Sequence, residues 1–252
     1  MTIREIAAIA GVSPAAVSLV LNNKKGVGKK KREHIKRVLE EHNYDPHENR
    51  GRMPRKRILF IKYRAHGMAV EENQGFVASM IDNVENECRR FSYKFLMQNC
   101  NEENIRDTFI SASNDKPDGI IVLGTELEAD KYDYLKLLNR PVVVIDNSMI
   151  GHDVDTIVMS NVKIAEMAVQ HLYDLGHREI GYFKANIEVS NLMERHEGYI
   201  RRMKALGLKI PEPIKVPPSM NSSYAEMRKR LLESKYAPHG AYFADNDSIA
   251  LG

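Results

Sequence analysis

The chain has 252 residues, of which 43% are hydrophobic and 28% are charged, and its formal net charge is +3. The charge is uneven, because residues 1–57 contain 14 Lys and Arg against 6 Asp and Glu, whereas the other 195 residues contain 23 against 28. The sequence has no apolar run of about 18 residues and begins with Arg4 and Glu5 where a signal peptide would need apolar residues, so neither membrane insertion nor secretion is expected. The predicted location is the cytoplasm. Cys88 and Cys100 lack metal-ligand spacing and are expected to stay reduced.

A first short helix is predicted close to the N-terminus. Thr2 and Glu5 have the spacing of a capping box, which favours a helix that begins at Ile3. Gly11 is suited to end this helix, because glycine takes a left-handed conformation without steric cost.

A second helix follows after a three-residue connection. Ser13 can cap it and Pro14 suits its first position, and the apolar pattern extends to about Asn22. Two short helices joined in this way form a helix-turn-helix unit, whose second helix lies in the DNA major groove. A third helix over about 29–42 is expected to close the small core.

A cluster of cations lies just after the second helix. Such a cluster can neutralise phosphates and release counterions, which gives salt-sensitive affinity without sequence information. The alternative is a solvated face with no partner. The cluster consists of Lys24, Lys25, Lys29, Lys30, Lys31 and Arg32.

Over about 45 residues without a gap, the sequence resembles the LacI-type bacterial transcription regulators. The resemblance is carried by Thr2-Ile-Arg-Glu-Ile-Ala7, Ala10-Gly-Val-Ser13, Val17-Ser18, Val20-Leu-Asn22, Val27, Arg32 and Asn43-Tyr-Asp-Pro46. It implies a regulator, in most cases a repressor, that binds double-stranded operator DNA and a small-molecule effector. It also implies a homodimer, provided that the C-terminal part of the family fold is present. The DNA-binding residues implied are Thr2, Ser13, Pro14, Ala15, Ala16, Ser18, Leu19, Asn22, Lys29, Arg32, Tyr44, Arg50 and Met53.

The second helix departs from the family pattern at Ala16 and Leu19, where the family commonly has Thr and Arg. Ala and Leu can touch thymine methyl groups, but they cannot make the bidentate contacts worth about 1–3 kcal/mol of base discrimination each. We therefore expect modest sequence specificity, with Ser18 and Asn22 binding mainly the DNA backbone.

The segment 46–57 is predicted to be a basic linker between a DNA-binding domain at 1–45 and the rest of the chain. In the family, this segment forms a hinge helix that inserts a leucine into the minor groove, and Met53 stands at that position. Gly51 and Pro54 disfavour a helix here. Two alternatives remain, a flexible basic arm along the DNA and a tether whose charges serve solubility.

From Ile58 onwards, strand-length apolar runs alternate with amphipathic helices, which predicts parallel sheets covered on both faces. By resemblance, this part is a two-lobed α/β domain of the periplasmic-binding-protein type, with lobes at 58–160 and 161–252. Family members continue further, so the second lobe is expected to be incomplete and to expose the apolar edge of 241–244. The predicted strands are 58–63, 93–98, 118–123, 142–146 and 241–244, and the predicted helices are 75–91, 103–113, 130–138, 161–175, 190–206 and 222–234.

Ligands of open α/β sheets bind outside the carboxyl ends of the strands. Asp146 and Asn147 end one strand, and Asn246 and Asp247 follow another, so these four residues are the candidate effector-binding residues. By resemblance, Asp247 is the effector-contacting aspartate of the family. Carboxylates and amides suit the hydroxyl groups of a sugar or a nucleoside. The alternative role of Asp247 is to cap the following helix.

Arg195 resembles a family arginine that is mostly structural, and Val189 and Met193 stand where family members often have a ligand arginine. This argues against an anionic effector and against a pyranose held by that arginine. The sequence contains no recognisable catalytic constellation, metal-ligand set or cofactor motif. Two other functions stay open: a solute-binding receptor without DNA function, and a regulator with a vestigial cleft that answers to a protein partner.

Overall fold

The computed structural model of the chain describes residues 3–21, 24–42, 44, 56–70, 74–233 and 238–252. The chain divides into two compact units, Met1–Lys56 and Arg57–Gly252. No single helix in the described ranges is long and apolar enough to cross a membrane; the first two helices pass such a test only when joined across a bend of 107°.

The first unit contains three helices in its described part, α1 (Ile3–Ile9), α2 (Pro14–Leu21) and α3 (Lys29–Glu41). Gly11 has a φ of +62°, as predicted, so the chain can turn sharply between α1 and α2. The backbone N–H of Ala16 donates to Ser13 Oγ at 3.3 Å, which confirms Ser13 as the cap of α2. The predicted cap residue Thr2 and the predicted last residue Asn22 lie outside the described residues.

The three helices bury one apolar core, to which each helix contributes residues at helical spacing. Val12 in the connection is half-buried and packs against this core. The buried members are Ile6, Ala7, Ala10, Val17, Val20, Ile35, Val38, Leu39 and Tyr44.

The second unit begins with strands and helices in alternation, as the sequence predicts. Five parallel strands of the described chain form a sheet in the order β2-β1-β3-β4-β5. The elements are β1 (Arg57–Arg64), α4 (Gln74–Arg90), β2 (Lys94–Asn101), α5 (Ile105–Asn114), β3 (Gly119–Leu123), a 3₁₀ helix (Ala129–Leu137), β4 (Val142–Ile145) and β5 (Asp155–Ile157).

Alternate residues of β1 serve different faces of this sheet. Phe60 packs with Val77 of α4 on one face, whereas Ile61 packs with Phe109 of α5 on the other. Strands buried on both faces read as continuous apolar runs, which is why β1, β3 and β4 were predictable.

A second sheet begins after α6 (Asn161–Asp174). Its described strands are parallel and run in the order β7-β6-β8. The remaining elements are β6 (Ile180–Ala185), α7 (Ser190–Ala205), β7 (Ile214–Val216), α8 (Met220–Leu232), β8 (Ala241–Ala244) and α9 (Asp247–Leu251). β8 lies at an edge of the described sheet, as expected for 241–244, but its side chains are exposed only in part: Phe243 is buried and its three neighbours in the strand are half-buried.

Helices α6 and α7 pack closely at Gly198. A Cβ at this position would lie 2.9 Å from the Cβ of Ala165 and closer still to the backbone oxygen of Val162. The absence of a side chain therefore sets the distance between the two helices.

Gly198→Ala is expected to lower the free energy of unfolding by about 1–3 kcal/mol, because the methyl group has no room. The matched control is Gly75→Ala in α4, where a Cβ meets no described atom within 4 Å and should raise stability by up to about 1 kcal/mol. Urea unfolding of both variants measures the two effects. Equal effects in the same direction would contradict this account of the packing.

Candidate functional site

The exposed part of α2 consists of small and apolar side chains. Pro14 and Ala15 are exposed, whereas Ser18 and Leu19 are half-buried. Ala16 is also half-buried and packs against the helical core, and Ser13 is engaged as the helix cap. The part of this helix that could meet DNA therefore offers little hydrogen bonding to bases.

A hydrogen bond from α3 holds the loop that follows α2. The Arg32 guanidinium donates to the backbone oxygen of Lys24, so Arg32 shapes this loop in addition to any phosphate contact. Gly26, with a φ of +122°, lies against Leu19 in the same region. Lys29 is exposed at the start of α3.

The remaining predicted DNA-binding residues are placed differently or not described. Tyr44 is 8% exposed and its ring belongs to the helical core, which favours a structural role. Thr2, Asn22, Arg50 and Met53 lie outside the described residues, together with most of the predicted linker.

A cavity of about 640 Å³ lies between the two lobes of the second unit. It is reached by residues that follow the carboxyl ends of strands in both sheets, which is where ligands of α/β folds bind. We call it the effector cavity, after the ligand that the sequence leads us to expect there. Its lining includes Thr125, Asp146, Asn191, Arg195, Asn246 and Asp247.

Asp146 lies at the junction of the lobes, directly after β4. It has a φ of +63° and is 5% exposed. Its Oδ2 accepts a hydrogen bond from Thr125 Oγ1 at 2.7 Å, and its Oδ1 accepts one from Asn191 Nδ2 in the second lobe at 2.8 Å. Burial raises the pKa of Asp146 above its usual value, while these hydrogen bonds and the charge of Arg195 oppose the rise.

Asn147 is fully buried, and its side chain is turned away from solvent. Its Nδ2 donates to the backbone oxygens of Gly124 and Leu127, both at 2.9 Å. Its Oδ1 accepts from Tyr132 Oη and from the N–H of Met149, both at 3.0 Å. With these four hydrogen bonds formed, the geometry favours a structural role over contact with an effector.

Asn246 and Asp247 reach the effector cavity from the second lobe. Asn246 is the cap of α9, because its Oδ1 accepts from the N–H of Ile249 at 2.7 Å. Asp247 accepts from the N–H of Ser248 and is exposed in the cavity wall. The capping role considered for Asp247 belongs to its neighbour, and Asp247 itself lines the cavity.

Arg195 also lines the effector cavity, a placement that sequence reasoning did not assign to it. Its Nε donates to Asn161 Oδ1 at 3.0 Å and its Nη1 donates to the backbone oxygen of Asp245 at 2.5 Å. These bonds hold the guanidinium against the second lobe. Asn191 and Thr125 were missed as well, because no local pattern marks either residue.

The loop after β1 forms another part of the wall and is held by a buried carboxylate. Glu126 is 1% exposed. Its two oxygens accept hydrogen bonds of 2.7–3.0 Å from the backbone N–H groups of Ala65, His66, Gly67, Ala69 and Val70. Burial acts to raise the pKa of Glu126, but the backbone hydrogen bonds and nearby His66 outweigh it, so the pKa lies below its usual value.

Asp245 is a third buried carboxylate, directly before Asn246. It is 2% exposed and accepts hydrogen bonds from Tyr182 Oη and, at 2.7 Å, from the N–H of Ala185. Burial raises its pKa to about 6, and the hydrogen bonds and the nearby charge of Arg195 limit the rise. In the described ranges, no group of three His, Cys, Asp or Glu side chains is placed to hold a metal ion.

A helix-turn-helix unit and a two-lobed α/β unit with a cavity at its strand ends define a class of ligand-controlled DNA-binding regulators. The chain matches the family described as bacterial regulatory proteins, lacI family, over residues 2–47. It matches the periplasmic binding proteins and sugar binding domain of LacI family over residues 68–252. The chain belongs to the lacI family of bacterial regulatory proteins, which confirms the resemblance found in the sequence.

Relatives of known identity match along the whole chain. The HTH-type transcriptional repressor PurR of Mannheimia succiniciproducens is 26% identical over 258 aligned positions, which cover 100% of this chain and 75% of the relative. PurR of Pasteurella multocida is 28% identical over 256 positions, with the same coverage. These relatives are transcriptional repressors.

Solved structures show the same fold. The lac repressor dimer bound to operator and the anti-inducer ONPF has a TM-score of 0.66 at 19% identity, covering 100% of this chain and 76% of that chain. The complex of the transcriptional regulator CelR with cellobiose has a TM-score of 0.61 at 21% identity, covering 97% and 73%.

The stability of the second unit should depend on pH through Asp245. A carboxyl whose pKa is raised from 3.8 to about 6 on folding contributes stability that is complete below about pH 4 and is lost as the pH rises through about 6. Asp245→Asn removes this dependence. The difference in unfolding free energy, variant minus parent, is expected to rise by on the order of 3 kcal/mol between pH 4 and pH 7.

Urea unfolding at several pH values measures this difference. Asp247→Asn, which removes an exposed carboxylate two residues away, controls for the loss of one charge. A difference that stays flat with pH for Asp245→Asn would refute the assigned cause.

Proposed function

We propose that this chain is a sequence-specific transcriptional repressor whose affinity for operator DNA is set by a sugar or nucleoside bound between its lobes. The observation that carries the proposal is the union, in one chain, of the helix-turn-helix match at residues 2–47 with the sugar-binding-domain match at 68–252. A solute receptor without DNA function has no use for the first match. The role requires no catalytic step, and because it acts on bacterial DNA, it belongs in the cytoplasm.

The DNA-binding part of the proposal is supported by the geometry of α2 and the cations beside it. Ser13 caps the start of α2, and the exposed residue Ala15 has a small side chain, so it does not obstruct the approach of this helix to DNA. Lys29 and its neighbours supply phosphate contacts, so most of the affinity comes from charge. We infer binding as a homodimer to a pseudo-palindromic operator, since the lac repressor, which has the same fold, is a dimer on its operator.

The chemistry of the effector cavity favours a neutral ligand rich in hydroxyl groups. Asp146 and Asp247 place carboxyl groups in the cavity wall, whereas Arg195 is already bonded to Asn161 and to the Asp245 backbone. Carboxylates accept hydrogen bonds from hydroxyl groups and repel anions. Phe76 adds an apolar surface, which suits the face of a sugar ring or a base.

The bond between Asp146 and Asn191 supports a role for the effector in setting the contact between the lobes. A hydroxyl group that donates to Asp146 would compete with the Asn191 amide for the same carboxylate. Any ligand that binds one arrangement of the lobes better shifts the population towards it. The coupling is reciprocal: an effector that weakens operator binding must itself bind the operator complex less tightly.

Lys29→Ala should weaken binding to all duplexes by a similar factor. Loss of one phosphate contact is expected to reduce the slope of log affinity against log salt by about 1, without changing the preferred sequence. Fluorescence anisotropy with duplexes selected from a random pool measures both quantities. Lys209→Ala, in the second unit, is the matched control and should leave the slope unchanged.

Asp247→Asn should weaken effector binding, because it removes a charged acceptor from the cavity wall. A charge-assisted hydrogen bond of about 1.5–3 kcal/mol corresponds to a loss of about tenfold to a hundredfold in affinity. The measurement is thermal stabilisation by a panel of sugars and nucleosides, where ligand at 100 times its Kd adds about 2.7 kcal/mol.

Asp82→Asn, on the exposed side of α4, is the control for this experiment and should bind the effector like the parent. If no sugar or nucleoside stabilises the parent chain, the cleft is vestigial and the regulator answers to a protein partner instead.

A further inference from the structure

A second cavity, of about 200 Å³, opens at the carboxyl ends of β1 and β2. In the described chain it shares no lining residue with the effector cavity. It lies at the same edge of the sheet, where α/β folds bind ligands, but towards the outer strand β2.

The strand register brings cations and amides together in this cavity. Lys62 pairs with Asn99 and Arg64 pairs with Asn101 in the parallel ladder. Residues two apart on a strand point to the same face, so all four side chains lie on one face of the sheet. Cys100 and Asn104, which precedes α5, complete the described lining.

The side-chain amides of Asn101 and Asn104 can act mainly as hydrogen-bond donors to a ligand, because their oxygens accept hydrogen bonds in the turn between β2 and α5. Asn101 Oδ1 accepts from the N–H of Asn104 at 3.0 Å. Asn104 Oδ1 accepts from the N–H of Asn101 at 2.8 Å and from Thr108 Oγ1 at 3.3 Å. Within the part of the chain that the structure describes, neither amide NH₂ group donates to another residue, so both can donate to a ligand.

All charged side chains in the described lining of this cavity are positive. Lys62 and Arg64 are positive, and none of the described lining residues is acidic. Lys62 is half-buried inside the sheet, between Asn99 of β2 and Leu123 of β3. Lys62 is the sixth of the eight residues of β1, and a half-buried lysine there is more stable when its ammonium group has a polar or anionic partner.

We propose that this cavity binds a phosphate-type oxyanion, either inorganic phosphate or the phosphate group of a sugar phosphate. A tetrahedral anion accepts hydrogen bonds on all sides, which matches a lining of ammonium, guanidinium and amide donors. The proposal rests on the fold and this lining, and it stands apart from the proposed action of Asp247 on a neutral effector.

The test is calorimetric titration of the full chain with inorganic phosphate at constant ionic strength. Lys62→Met keeps the unbranched stem of the side chain and removes its charge, and it is expected to weaken binding by about tenfold or more. Lys94→Met removes one exposed charge from the other end of β2 and should bind like the parent. Weak phosphate binding by the basic first unit would be the same in the parent and in both variants, so it does not affect the comparison of their phosphate affinities.

Titration with ribose 5-phosphate, compared with inorganic phosphate, distinguishes the two sources of the anion. If ribose 5-phosphate binds more tightly than inorganic phosphate and Asp247→Asn weakens it, the phosphate belongs to a ligand that reaches the effector cavity. If the two bind alike and Asp247→Asn has no effect, the site takes a free anion. Either result supports the oxyanion site.

The proposal is wrong if neither phosphate compound binds the parent at millimolar concentration, or if both bind Lys62→Met as tightly as the parent. Should Lys62→Met fail to fold, Arg64→Gln on the exposed rim gives the same comparison. The unfolding midpoint of each variant confirms that it is folded.

Discussion

The carboxylate of Asp146 joins the two lobes of the second unit, and the effector cavity depends on it. It accepts hydrogen bonds from Thr125 in its own lobe and from Asn191 in the other. A buried carboxylate is costly unless such donors surround it. Its residue also has a left-handed backbone, which costs on the order of 1 kcal/mol. The surrounding structure must therefore hold both the backbone and the carboxylate of Asp146 in place.

Charge also organises the wall beside this junction. Glu126, which follows β3, accepts hydrogen bonds from five backbone N–H groups of the loop 65–70. One side chain therefore fixes the conformation of this loop. Asp245 similarly fixes Tyr182 and the end of β6 beneath Arg195. Buried acids thus support the cavity wall, and apolar residues of one core cluster, among them Ile187 and Leu192, line the cavity beside them.

Local sequence patterns predicted the features that are set by interactions between residues close together in the sequence. Gly11 and Ser13 were recognisable because turns and caps are set within a few residues. Arg195 and Asn191 were not, because their positions in the cavity result from how α7 meets strands far away in sequence. Asn147 follows a strand as a ligand residue would, yet its amide turns inward to the backbone of Gly124. β5 was missed because it has three residues and Ile157 is 67% exposed, so it lacks the apolar run of a buried strand.

The two units also differ in how far apart in sequence their contacts lie, and this bears on their order of folding. The core of the first unit is complete once the chain has reached Tyr44. The central sheet pairs Ile58 with Gly119, and such distant contacts form slowly because a long loop must close first. During synthesis the helical unit also leaves the ribosome first. The part that contacts DNA can thus be folded while the sensor of the same chain is still being made.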